Sequence, residues 1–239
     1  MNAMDKEQQI TQFSERFAKA FGGNAVSLIL YGSAAGPEFN EKYSDLNLLC
    51  VLSRVGPPEL AASEPLFRWW MDGGHPPPVL MSEAEVAGST DCFPIEYQDM
   101  QRRRRVLHGK DVIEGLVVDR SFYRAQVEYE LRSKLLRLRR KASAALPDPQ
   151  LLTKLMADSV STFLVLGRHG LLLAGHAGGA TRHETVAGLR EHFALDAHPF
   201  ETLLAVREGK TTSIDAGTVF ARYLIGVQQL VDAVDSLHK

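Results

Sequence analysis

The sequence predicts an α+β protein: a small mixed sheet flanked by helices over residues 1–118, then a helical bundle over residues 119–239. Three observations predict it. Short apolar runs rich in branched residues, bounded by Gly, Pro and Asn, crowd the first half. Apolar residues at three- and four-residue spacing fill the second half. A chain of 239 residues, 45% hydrophobic and 23% charged, can bury a core in each part.

Residues 5–21 read as an amphipathic helix, with Ile10, Phe13, Phe17 and Phe21 on one face and Gly22-Gly23-Asn24 as its stop. Residues 25–30 (AVSLIL) form a first strand, and a Gly-, Pro- and Asn-bearing loop runs from Gly32 to Tyr43. Residues 46–52 (LNLLCVL) form a second strand and residues 57–70 a helix. The run Gly73-Gly74-His75-Pro76-Pro77-Pro78 is a loop, because neither a helix nor a central strand accepts so many prolines. Residues 79–81 make a third strand. Residues 93–100 (FPIEYQDM) read as a fourth, with Pro94 near its start. The second half opens on a helix over 124–142 with Val127, Leu131, Leu135 and Leu138 on one face and Glu130 and Lys134 as a helical ion pair. Further helices follow over 151–166, 184–193, 199–207 and 216–237, and the glycine-rich piece 167–179 reads as a loop.

Bulk properties exclude some functions. A net charge of −2 argues for neither a nucleic-acid binder nor a membrane-surface protein. No apolar run approaches the roughly 18 residues of a membrane span. Residues 1–9 carry no signal-peptide apolar stretch, and two cysteines make no disulfide framework, so the sequence predicts a reducing, cytoplasmic setting.

Three polar features stand out against the apolar strands. The first strand ends in Gly32-Ser33 followed by Ala34-Ala35-Gly36; such a turn exposes backbone N–H groups that, with the Ser33 hydroxyl, can cradle a phosphate. In a strand, Asp45 and Asn47 share one face and Leu46 and Leu48 the other, which sets two oxygen-bearing side chains where a hard cation such as Mg²⁺ can be held. Glu96 is a carboxylate inside an apolar run, which is costly to bury unless paired or metal-bound. Asp99 is its neighbour on the opposite face of a strand.

Gly32-Ser33, a loop, and Ser44-Asp45-Leu46-Asn47 together resemble the Gly-Ser…Asp-x-Asp signature of the nucleotidyltransferase superfamily, which includes the polymerase-beta type and the aminoglycoside nucleotidyltransferases. Residues 93–97 (FPIEY), 105–111 (RVLHGKD) and 130–136 (ELRSKLL) resemble bacterial members with a helical C-terminal domain. The resemblance implies that Gly32 and Ser33 grip the phosphates of a nucleoside triphosphate, ATP first among them. It implies that Asp45, Asn47 and Glu96 face Mg²⁺, and that Asp45 and Glu96 are catalytic, Glu96 as the base for an acceptor hydroxyl. Lys134 and Arg137, on the helix after the sheet, are the cations expected to reach the triphosphate. Asn47 departs from the family's second aspartate; an amide oxygen can ligate Mg²⁺ but brings no charge.

The implied activity is transfer of a nucleoside monophosphate to a hydroxyl of a small molecule or protein. Asn47 also admits a nucleotide-binding or partner-binding module of the toxin–antitoxin kind, and a homodimer is a candidate assembly. The other features take structural readings: the Arg102–Arg105 run as a solvated face, the late histidines as no zinc site, Trp69-Trp70 as packing and Cys50 as core.

Overall fold

The computed structural model describes residues 5–36, 45–211 and 213–237; residues 37–44, including Ser44 of the sequence motif and most of the predicted loop, lie outside the described residues. The chain divides into two compact units, Met1–Arg120 and Ser121–Lys239.

The first unit is built on a four-stranded sheet. Its strands are β1 (Ala25–Tyr31), β2 (Asn47–Leu52), β3 (Val79–Ser82) and β4 (Arg104–Gly109), in the order β3-β2-β1-β4. β1 runs antiparallel to both β2 and β4, and β2 runs parallel to β3. Both faces are covered, so the central strands are apolar on both sides, as burial there requires. Leu28, Leu30, Leu48 and Cys50 pack against α1 (Lys6–Phe21) and α2 (Pro57–Asp72) through Phe13, Phe17 and Trp70. Ile29, Leu49 and Val51 point the other way and meet Val86, Tyr97, Met100 and Ile113. Cys50 is core, as its place among these leucines requires; burial pushes its thiol well above the usual range. Trp70 is packing too, edge-on to Phe13 at 4.9 Å between ring centroids, while the Arg16 guanidinium lies over Trp69 at 4.1 Å.

The α+β prediction is borne out, but two elements of the first half differ. Residues 93–100 are not a strand. Pro94–Arg102 is a helix, α4, with Pro94 in its first turn, where the missing N–H and fixed φ favour helix entry. Ile95 and Tyr97, two apart, fit strand alternation, whereas the buried Pro94, Tyr97 and Met100 recur every three residues, which fits only the helical period. The fourth strand is β4, which begins in the arginine run. There Arg104 holds Asp111 (2.8 Å) and Arg105 holds Glu7 (2.9 Å). A short helix, α3 (Glu83–Gly88), follows β3, its N-terminus closed by a reciprocal Ser82–Glu85 capping box.

The second unit is helical: α5 (Tyr123–Ala145), α6 (Pro149–Leu173), α7 (Arg182–Phe193), α8 (Ala197–Arg207) and α9 (Ala216–Ser236). The expected loop at 167–179 begins later than predicted, because α6 continues through Gly167 and Gly170 to Leu173. A Cβ at Gly167 would come within 2.8 Å of Leu189, so the glycine is there for close helix packing. Inside this unit, buried His169 bonds to the Tyr123 hydroxyl through Nδ1 and to Arg168 through Nε2 (3.0 Å). A guanidinium only donates, so Nε2 accepts and the ring proton sits on Nδ1, facing the tyrosine oxygen.

His183 joins α7 to α8. Its Nδ1 meets Glu201 (2.6 Å) and its Nε2 meets Glu208 (2.9 Å), so both nitrogens donate and the ring is favoured as imidazolium. Its pKa is raised, chiefly by the Glu208 hydrogen bond. A folded-state pKa raised above the unfolded value gives stability that is complete below about pH 6.5 and lost as pH rises through the folded value. Urea denaturation of the protein and of His183→Gln should therefore show a stability gap at mildly acidic pH that closes in alkaline buffer. A gap that widens with pH would contradict this assignment.

Candidate functional site

β1 carries the chain to one end of the sheet at Tyr31. There Gly32, at φ +81°, turns it into a single 3₁₀ turn over Gly32–Ala35, closed by the Gly36 N–H on the Ser33 carbonyl (3.3 Å). Left-handed backbone of this kind is what glycine supplies. Across the sheet from Tyr31 stand Asn47 in β2 and Arg104 in β4. A Cβ at Gly32 would lie 3.3 Å from Asn47 Nδ2, and one at Gly36 would lie 2.9 Å from the Arg103 side chain. The turn, Asn47 and Arg103 therefore share one neighbourhood.

Asp45 is exposed and precedes β2, which begins at Asn47. Strand alternation therefore sets the side of Asn47, with Leu49 and Val51, but does not set that of Asp45. The charge of Asp45 is felt at His75, whose pKa is lowered by burial and Lys6 while Asp45 opposes them. His75 packs on Trp70 at 4.2 Å and bonds Gln9 at 2.8 Å.

Glu96 lies in the first turn of α4, exposed, and not within a strand as the sequence predicts. The correction removes the problem of a buried carboxylate, since Glu96 is hydrated at the helix surface. It also changes the relation to Asp99: three residues on in a helix is the same side, where strand alternation would have opposed them. The Glu96 charge reaches Tyr31, whose phenol is pushed up to about 12 by burial with Glu96 adding to it. Tyr97 is also raised, by burial first and then by the Glu96 and Glu85 charges, against the opposing Ser89 hydrogen bond. So the structure brings Glu96, Tyr31, Asn47 and the Gly32–Ser33 turn to one end of the sheet.

A cleft of about 890 Å³ opens beside them, entirely within the first unit. Leu49, Met81 and Met100 line it together with Tyr31, Phe93 and Tyr97, and Glu85 and Glu96 border it. The sequence reading missed this cleft because two of its walls, α3 and α4, were not legible as helices.

Among the described residues, no group of three His, Cys, Asp or Glu side chains is placed to hold a metal ion. Asp45, Asn47 and Glu96 offer two carboxylates and one amide oxygen. Together these carry one carboxylate fewer than the three of a two-ion site. Lys134 and Arg137 lie on α5 in the second unit, lining a groove of about 290 Å³ shared with α6; Lys134 also pairs with Glu130 at 3.1 Å.

No family model matches this chain, and no curated protein matches it. Among solved structures, the chain is similar to spectinomycin adenyltransferase from Enterococcus faecialis, whose crystal structure holds ATP and spectinomycin. The TM-score is 0.63 at 14% sequence identity, with 97% of this chain and 100% of that chain covered. The chain thus has the fold of that adenyltransferase over nearly its whole length. No described helix is long and apolar enough to cross a membrane.

Proposed function

We propose that this protein is a nucleotidyltransferase that moves a nucleoside monophosphate from a nucleoside triphosphate, ATP first among them, to a hydroxyl of a small-molecule acceptor. The observation that carries the reading is the meeting of a left-handed Gly32 turn, Asn47 and the exposed Glu96 carboxylate at one end of a sheet with an adenyltransferase fold. In this reading the amides of the Gly32–Ala35 turn and the Ser33 hydroxyl bind phosphate oxygens. Glu96 accepts the proton of the acceptor hydroxyl as that oxygen bonds to the α-phosphorus and the bond to the departing pyrophosphate breaks. Asp45, Asn47 and Glu96 would hold Mg²⁺, which supplies positive charge to the phosphate oxygens.

Lys134 and Arg137 are proposed to add cationic charge for the triphosphate. Alanine at either is expected to weaken triphosphate binding about threefold to tenfold. Unchanged affinity in both variants would return them to a structural role on α5.

Asn47 favours a second reading, a site that binds nucleotide without turning it over, because the donor set carries one charge fewer. Calorimetric titration with ATP, GTP, CTP and UTP, with and without Mg²⁺, tests the binding common to both readings. Pyrophosphate release in the presence of candidate acceptors separates them. No binding of any of these nucleotides would defeat both.

A further inference from the structure

The cleft beside Glu96 has the size of a small-molecule site: about 890 Å³ lies within the range of ligand pockets, and its walls are predominantly apolar. Leu49 and Met100 are buried in its floor, while Phe93 and Val79 stand at its lip, 44% and 41% exposed. Methionines at the base, Met81 and Met100, adapt to irregular apolar shapes.

The polar groups on these walls are largely committed to one another. The Ser89 hydroxyl donates to the Glu85 carbonyl (2.6 Å) and pairs with the Tyr97 hydroxyl (2.9 Å), which also approaches Met81 sulfur (3.9 Å). The Glu85 carboxylate accepts from the Ser82 N–H (2.6 Å) and hydroxyl (2.8 Å). A polyhydroxylated ligand entering here would give up its hydrogen bonds to water and recover few. Glu85 and Glu96 at the border repel anions.

We propose that this cleft is the acceptor site, and that its acceptor is an uncharged alcohol with an apolar body of one or more rings. This rests on the transferase reading above. The apolar body fills the cleft over Leu49 and Met81, and the hydroxyl lies at the lip beside Glu96. Aminocyclitols and sugars are excluded because their many hydroxyls would be left without partners against the same walls.

The test uses naphthylethanol as a fluorescent probe, naphthylacetate as its anionic counterpart and spectinomycin as a polyhydroxylated comparator. Naphthylethanol should saturate the protein, naphthylacetate should bind at least about tenfold more weakly, and spectinomycin should not displace the probe. Two variants fill the cleft from exposed positions on α3. Ala84→Trp places an indole at the mouth. Gly88→Leu adds a side chain where a Cβ meets nothing within 4 Å. Each should weaken naphthylethanol about tenfold or more while leaving Mg²⁺–ATP binding unchanged.

Equal probe affinity in the parent and both variants, or displacement of the probe by spectinomycin, would overturn the proposal. A parent that binds nucleotide but not naphthylethanol overturns the acceptor class alone. A parent that binds naphthylethanol but no nucleotide overturns the transferase reading and the acceptor role with it.

Discussion

Gly109→Ala is expected to destabilise the first unit by about 3–5 kcal/mol, enough to lower its melting temperature by on the order of 10 °C or more. Gly109 ends β4 at φ +73° and pairs with Ser27 of β1. A Cβ built there would lie 2.0 Å from the Val26 carbonyl oxygen. That atom is backbone in the central strand, and it also accepts the Lys110 N–H at 3.2 Å. It can move away only by breaking the β1–β4 ladder at this end. The φ strain itself costs an alanine about 1–2 kcal/mol. Gly115→Ala is the matched control, with φ +71° and nothing within 4 Å of an added Cβ. It carries the strain without the clash. Thermal denaturation of both variants separates the two terms, and equal melting temperatures would show that β4 does not approach β1 as closely as described.

What the sequence made legible follows from how each element is specified. α1 announces itself through Ile10, Phe13, Phe17 and Phe21, each at helical spacing and each buried. β1 and β2 are apolar on both faces, so their identity as central strands did not depend on phase. Pro94–Arg102 failed for a physical reason: Ile95 and Tyr97 match a two-residue period, and the competing three-residue spacing rests on Pro94, Tyr97 and Met100, of which Pro94 reads as a strand start. β4 was hidden because its arginines are spent on Asp111 and Glu7, partners that lie seven and 98 positions away. Of the candidate site, Gly32 and Asn47 stood out at the ends of apolar strands, whereas Glu96 was singled out on a predicted strand that is a helix. The apolar cleft was not, since its walls come from β1, β2, β3, α3 and α4, and no short segment contains it.

On the transferase reading, the largest expected effect at the site is on the cation it would hold. Asn47→Asp should strengthen Mg²⁺-dependent nucleotide binding and raise transfer. Asn47 sits opposite Tyr31, with its amide nitrogen 3.3 Å from where a Gly32 Cβ would be, so an aspartate there would place a carboxylate at the Gly32–Ser33 turn. With asparagine, the donor set has Asp45 and Glu96 as its formal charges. One more carboxylate a few ångströms from a cation favours it by about 1–4 kcal/mol at an effective dielectric of about 20 or higher. The same charge is unfavourable when no cation is present. Asn47 is half-buried, so an aspartate there loses part of its hydration, and the Glu96 charge felt at the neighbouring Tyr31 adds repulsion. The two effects have opposite signs, which gives the variant a paired signature: a lower melting temperature alone, and a larger rise than the parent's on adding Mg²⁺ and ATP together. ATP without Mg²⁺ should stabilise the variant less than the parent, because the added carboxylate then faces phosphate directly. A variant that gains no more from Mg²⁺–ATP than the parent would remove the cation from this end of the sheet, and with it the role proposed for Asn47.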